Sequence, residues 1–459
     1  MRAKQTDLTK GAITPLLFKL TWPMIFGMLG MVMFNLADTY FIGKVGVDEL
    51  AAMGFTFPVV MVISSLALGI GIGTSSLIAR SIVSESRNTL REYSTEALLL
   101  GLGVILIMVT VGQLTIKPLF RALGATERII PLIHDYMSIW YWGMIFVVVP
   151  MVGNNIIRAT GDTFTPGMFM SVSAVINIIM DPFLILGYGP FPALSMKGAA
   201  IATVIGRGVG LVLTLMVLIK RENLLTINLP RFKEVFRIWK KILYIGGPAT
   251  ASILITPLSI GIVTRIVSKF GEEAVAAFGV VSRMEMFSLI LVNALGSVMI
   301  IFAGQNWGKS KISRLVKGFD IGVLIALGWG LLLFIVAQIW AVPIASVFSD
   351  NNEVVNITSD YLFIVSFSYG FQGILMVGIN VFNGINKPLP SMGLTTLRMF
   401  GLYVPLAWLA SIYWNLQGVF WSAFIANILV GLITYIWLKG HLRKKYTYTN
   451  LSESKVIED

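Results

Sequence analysis

The sequence has no cysteine and only two histidines, His134 and His441. The first absence excludes a disulfide framework and thiolate chemistry, and two histidines are too few for a histidine-ligated metal centre. Charge is also scarce: 13% of residues are charged and 56% hydrophobic, where a soluble domain carries roughly 25% charge. The mean hydropathy is +0.82, so most of the surface must face lipid. No H-E-x-x-H motif or Ser–His pairing appears, so the chain reads as a carrier without a cofactor and not as an enzyme.

Long apolar runs fill the space that charge leaves. Twelve runs approach or exceed the roughly 20 residues that cross a bilayer core: 14–41, 50–79, 94–116, 130–157, 164–186, 196–219, 241–268, 275–305, 316–343, 354–381, 390–412 and 417–438. The first run is too long for a cleaved signal and lacks a small-residue cleavage site. With the N-terminus inside, 25 of the 35 Lys and Arg fall on inner segments, 7 on outer loops and 3 within spans. That asymmetry obeys the positive-inside rule. The net charge of +12 is therefore a topology signal, and no nucleic acid is expected. The expectation is a multi-pass protein of the cytoplasmic (inner) membrane, monomeric, with both termini cytoplasmic.

The two halves repeat at one offset of 225 residues. Trp22-Pro23 returns as Gly247-Pro248, Lys44-Val45-Gly46 as Lys269-Phe270-Gly271, and Ala51-Ala52-Met53-Gly54 as Ala276-Ala277-Phe278-Gly279. Gly71 pairs with Gly296, Asp135-Tyr136 with Asp360-Tyr361, and Arg158-Ala159 with Asn383-Gly384. Six spans per half make the repeats parallel, related by a pseudo-two-fold axis along the membrane normal, as in duplicated transporters. The expected organisation is an N-terminal lobe over 1–219, a cytoplasmic linker over 220–240, a C-terminal lobe over 241–439 and a polar cytoplasmic tail over 440–459. Leu229, Phe232, Phe236 and Trp239 recur at helical spacing, which predicts an amphipathic helix in the linker region. The glycine runs at 69–73 and 206–210 read as sites of close helix packing.

Acids inside lipid are costly and draw attention to function. Five qualify: Asp38, Glu96, Asp181, Glu285 and Asp320. Glu96 and Asp320 lie near inner helix ends, within reach of water. Glu285 and Arg283 are two residues apart, a spacing that shares no helix face, and both stand as secondary candidates. At 1.5 Å per residue, Asp38 lies roughly 5 Å below the outer surface, Asp181 roughly 8 Å, Tyr136 roughly 9 Å and Thr203 roughly 10 Å. Asn177 is one turn from Asp181 on the same face. Four helices thus place two carboxylates, an amide, a phenol and a hydroxyl in one layer, a donor set that suits Na⁺ or a shared proton. Two plainer readings compete: Asp38 solvated at a helix end, and Asp181 satisfying donors freed by Pro182. The second half carries Val263 and roughly Pro405 at the equivalent positions, which favours a specialised first half. Pro23, fifteen residues before Asp38, is a hinge candidate or a tolerated proline. Met31 and Phe34 are candidate apolar walls of a substrate cavity.

At these residues the chain resembles the multidrug and toxic compound extrusion (MATE) family. The resemblance rests on Leu20-Thr21-Trp22-Pro23, Phe34-Asn35-Leu36-Ala37-Asp38-Thr39, Arg158-Ala159-Thr160-Gly161-Asp162-Thr163 with Pro166, and Asn177-Ile178-Ile179-Met180-Asp181-Pro182. It covers all twelve spans, and the acids match the DinF-like branch, not the NorM-like one. The resemblance implies that Asp38, Asn177, Asp181 and Thr203 form the cation-coupling pocket for H⁺ or Na⁺. It further implies Tyr136 as the wall of that pocket, Pro23 as a bending point and Asn154 as a cavity residue that substrate touches. Phe34 departs from relatives that carry tyrosine there. The implied activity is antiport, exporting amphipathic, often cationic organic compounds (multidrug efflux) by alternating access. The alternative within the same superfamily is a lipid or lipid-linked saccharide flippase, and the orientation of Arg207, Arg283 and Arg398 discriminates the two.

Overall fold

The computed structural model describes residues 7–190, 192–227 and 230–457. The first half holds α1 (Ile13–Val45), α2 (Val47–Ser81), α3 (Arg87–Ala122), α4 (Ile130–Gly143), α5 (Ile145–Ala159), α6 (Phe164–Ile185) and α7 (Ser195–Met216). The second half holds α8 (Phe232–Val267), α9 (Glu272–Ser288), α10 (Ile290–Gly308), α11 (Ile312–Ser346), α12 (Asn352–Val365), α13 (Tyr369–Gly384), α14 (Pro388–Thr396) and α15 (Val404–Ile457). No strand occurs among the described residues. This all-helical outcome follows from the environment, because lipid offers the backbone no partner and a helix satisfies its own amides.

Ten helices are long and apolar enough to cross a membrane, and the bent pair α4 and α5, at 42°, supplies an eleventh span. The continuous stretch Pro388–Lys445 breaks at Trp414 and Asn415, where Asn415 turns left-handed at φ 51°. Asparagine tolerates that conformation better than most residues. The break separates two spans and brings the total to the twelve expected. Large apolar side chains cover the outside, Leu114 and Leu324 among them, where they would meet acyl chains.

Other breaks interrupt what the sequence reads as single runs. The run 275–305 is two helices, α9 and α10, divided at Leu289. The Trp329 indole N–H donates to the Ser288 carbonyl at 2.7 Å there, satisfying a group that the break leaves free. The run 354–381 is likewise α12 and α13 joined by a tight turn at Ser366–Ser368.

The chain divides into two compact units, Met1–Asp7 with Trp22–Thr250, and Leu8–Thr21 with Ala251–Asp459. The divisions fall inside α1, just before Pro23, and inside α8, just after Pro248. In the first unit, the stretch after α7 is clasped by α3: Arg87 donates to the Glu222 carbonyl, and Arg91 to Asn223 at 2.5 Å. The amphipathic pattern around Phe232, Phe236 and Trp239 belongs to the opening turns of α8 itself, with Leu229 outside the described residues. Trp239 donates its indole N–H to Glu96 at 2.9 Å. In the second unit, Arg314 holds the carbonyls of Leu8, Lys10 and Gly11. Asp320 is ion-paired with Lys439 at 2.9 Å, a partner from the far end of the chain that spacing alone does not reveal.

The internal repeat is physical as well as sequential. Asn155 donates its amide to the Met151 carbonyl at 2.8 Å, and Asn380 does the same to Met376 at 2.8 Å, 225 residues later. Each of these asparagines packs on a glycine, Gly71 and Gly296, leaving no room for a Cβ. One packing unit has been used twice.

Candidate functional site

Three helices of the first unit converge on the predicted layer because glycines let them touch. A Cβ on Gly167 of α6 would sit 2.5 Å from the Pro23 carbonyl of α1, and one on Gly27 would sit 2.9 Å from the Gly167 Cα. On α7, a Cβ at Gly206 would approach the Ser173 carbonyl to 2.8 Å and the Asn177 Cβ to 3.2 Å. At Gly198 it would reach the Leu184 carbonyl at 2.1 Å. The run at 206–210 is thus helix packing, and the α6–α7 seam carries Asn177 and Asp181 to the level of Thr203.

Inside this seam Asp38, Asn177, Asp181, Thr203 and Tyr136 are all buried, with Asn177 and Asp181 at 0% exposure and Asp38 at 4%. The Asn177 amide donates to Asp181 Oδ1 at 3.3 Å. The Asp38 and Asp181 carboxyl groups are close electrostatic neighbours. Asp38 is therefore not a solvated helix-end acid, and the partners of Asp181 are side chains. Four oxygens remain buried without a hydrogen-bond partner: Asp38 Oδ1, Asn177 Oδ1, Asp181 Oδ2 and Thr203 Oγ1. Orphaned buried oxygens are costly. Four of them, on α1, α6 and α7, are oxygens of the kind that a small hard cation or a shared proton takes.

Arg207 also belongs to this layer. It interacts electrostatically with Asp38 and Tyr136, and its guanidinium lies over the Phe34 ring, 5.0 Å from the centroid. Phe34 therefore presents a ring face to a cation where a tyrosine would present a hydroxyl. Met31, Phe34, Ser173, Ala174 and Arg207 line a crevice too narrow to admit a water-sized molecule. Asn154 is not brought into the layer: its Oδ1 accepts from Thr214 at 3.2 Å, eleven residues or roughly 16 Å along α7 from Thr203. Pro23 lies within an uninterrupted α1, its carbonyl against Gly167.

The Arg158–Pro166 loop has a structural logic of its own. Gly161 turns at φ 93°, a conformation that glycine adopts without penalty. Asp162 then accepts from the Thr165 backbone at 3.0 Å and the Thr165 hydroxyl at 2.6 Å, capping the start of α6. Arg221 closes on Asp162 at 2.5 Å. The motif fixes a helix start and lies apart from the acid layer.

In the second unit, Glu285 faces a cavity of about 240 Å³ that Arg398, Tyr361 and Tyr403 also line. Arg283 is exposed, so the two secondary candidates point apart, as their spacing requires. The sequence singles out Arg398 but not its orientation, and Tyr403 not at all, because a seven-residue π-helical segment, Leu397–Tyr403, rotates both relative to an ordinary helix. Tyr361 carried a signal, being the repeat equivalent of Tyr136.

A duplicated, all-helical, lipid-exposed chain with buried acids in one lobe defines a multi-pass membrane transporter. A sequence model of the MatE family matches it twice, over residues 23–183 and 248–409, and both matches begin 225 residues apart. The chain belongs to the MatE family. It is 36% identical to the FAD transporter of Shewanella oneidensis over 93% of this chain and 95% of that one. It is 28% identical to the probable multidrug resistance protein YoeA of Bacillus subtilis, over 87% and 88%. The bent form of the Vibrio cholerae MATE transporter VcmN superposes with a TM-score of 0.89 at 31% identity, covering 97% of this chain and 100% of that one.

Proposed function

We propose that the protein is a monomeric, cation-coupled antiporter of the cytoplasmic membrane, with both termini cytoplasmic. It exports amphipathic, often cationic organic compounds in exchange for H⁺ or Na⁺. The observation that carries this reading is the set of four orphaned oxygens on Asp38, Asn177, Asp181 and Thr203. A coupling cation bound there, or a proton on either acid, neutralises the negative layer that would hold a cationic substrate. Because the two ligands compete, each stabilises a different state, and exchange follows from differential affinity. The test is efflux of ethidium from proteoliposomes under an imposed H⁺ or Na⁺ gradient, one at a time. Efflux under at least one gradient is expected, and efflux indifferent to both would overturn the coupling.

The flippase alternative needs a net cationic lining for phosphate. Here two of the three discriminating guanidiniums meet an acid in their own lobe, Arg207 with Asp38 and Arg398 with Glu285, and Arg283 is exposed. A second reading, export of an organic anion with a large ring system, is favoured by the likeness to the FAD transporter of Shewanella oneidensis. The same vesicles loaded with FAD in place of ethidium distinguish it.

Pro23 is the hinge of this reading, supported by its place beside the division of α1 between units. Proline withholds the amide that would tie its turn to the preceding one. Pro23→Ala restores that hydrogen bond and is expected to slow turnover by roughly tenfold, with substrate affinity within about twofold, as for a conformational step. Initial efflux rates and equilibrium binding provide the two readouts. Unchanged turnover would make the proline a packing feature.

A further inference from the structure

The second-lobe cavity is the repeat counterpart of the closed first-lobe crevice. Subtracting the offset of 225 maps Thr256, Arg398 and Met399 of the cavity onto Met31, Ser173 and Ala174 of the crevice. Tyr361 maps onto Tyr136 in the same way. The first-lobe version has no room for a water-sized molecule, whereas this one offers about 240 Å³.

Its chemistry is bipolar. Glu285 and Arg398 attract each other electrostatically, yet no direct ion pair joins them among the described residues. Each is held by its own partner. Tyr361 interacts with the Glu285 carboxylate across the cavity they both line. Arg398 Nη1 donates to Asn427 Oδ1 at 3.2 Å, and the Asn427 amide is oriented by Ser368 at 2.9 Å. Opposite charges in a lipid-embedded lobe should collapse onto each other. Held apart, they form a preorganised donor–acceptor gap with no net charge. The π-helical segment at Leu397–Tyr403 brings both Arg398 and Tyr403 to the gap, and such segments recur at functional sites. Phe278, Tyr361 and Tyr403 supply aromatic walls.

A net-neutral gap selects neither a free cation nor a free anion. It fits a group that offers an N–H on one side and a carbonyl oxygen on the other, on a flat ring that the aromatic walls can sandwich. A void of roughly 150 Å³ holds benzene, so this cavity has room for a fused ring and not for a large branched molecule. We propose that the second-lobe cavity binds a planar heteroaromatic ring through an imide or ureide edge, with Glu285 accepting its N–H and Arg398 donating to its carbonyl. This deepens the transport reading, on which it rests for a ligand's access to the lobe, by naming a substrate feature that the first-lobe acids do not recognise.

The experiment is equilibrium binding to the purified full-length protein in nanodiscs, without any ion gradient. Lumichrome, a planar ring with an imide N–H and a ureide N–H, is the fluorescent probe, and 1,3-dimethyl-lumichrome is its partner with both N–H groups blocked. Saturable lumichrome binding is expected, with the methylated probe weaker by about tenfold or more, the scale of a lost hydrogen bond to a charged group. Glu285→Gln and Arg398→Gln should each weaken lumichrome by a similar factor while the protein stays monodisperse. Equal affinity for the two probes, or no saturable binding, overturns the proposal, and that comparison needs no variant to fold. Lumichrome binding without gradient-driven efflux would instead overturn the transport reading and leave this site standing.

Discussion

Asp38→Asn and Asp181→Asn are each expected to abolish gradient-driven efflux, by at least about 100-fold, while leaving the protein inserted and monodisperse. The substitutions keep shape and remove the ability to ionise. Asp38 and Asp181 are buried, so a change in volume would be felt, and Asn supplies almost none. Removing one of two neighbouring carboxylates relieves a like-charge repulsion, so the fold should not suffer. What disappears is a negative ligand of the coupling cation, whose binding rests on charged oxygens. Efflux rates in proteoliposomes and elution profiles in detergent check both halves of this expectation. Wild-type efflux in both single variants would place coupling elsewhere, with Glu285 the next residue to test.

The second large effect concerns packing. Gly73→Ala is expected to destabilise the first unit by about 3 kcal/mol, at the upper end of overpacking penalties, whereas Gly54→Ala should be neutral or stabilise by up to about 1 kcal/mol. A Cβ on Gly73 would lie 2.3 Å from the Ile242 carbonyl of α8, and one on Gly54 has nothing within 4 Å. Backbone cannot rotate away as a side chain can, so α2 and α8 would have to separate. Both changes add one methyl to the same helix, so only the environment differs. Thermal unfolding of the two variants in one detergent gives the comparison. Equal transitions for the two would mean that the α2–α8 seam tolerates a gap.

Much of this is legible in the sequence alone. The offset of 225 is written in six segments, and the same offset returns in the Asn155–Met151 and Asn380–Met376 hydrogen bonds. Depth along a helix is simple arithmetic, so Asp38, Asn177, Asp181, Thr203 and Tyr136 could be placed in one layer from their distance to span ends. Helix rotation is harder. The family likeness alone assigns Asn154 to a cavity, and the bond it accepts from Thr214 lies outside what spacing can foresee. The cavity around Glu285 and Arg398 was hidden for another reason. A π-helical segment changes which residues share a face, and hydropathy cannot register that change. Phe34 was read as a lost hydroxyl, and only the position of Arg207 over its ring shows what occupies the place. Long-range pairs such as Asp320 with Lys439 lie beyond any local pattern.

The most direct test of the central claim is a competition at the first-lobe acids. Purified protein, saturated with the coupling cation, receives substrate, and the released cation is measured as a pH change or as displaced radioactive Na⁺. Wild type is expected to release the cation as substrate binds, and the Asp38→Asn/Asp181→Asn double variant is expected to bind and release none. Cation binding that persists unchanged in the double variant would contradict the account.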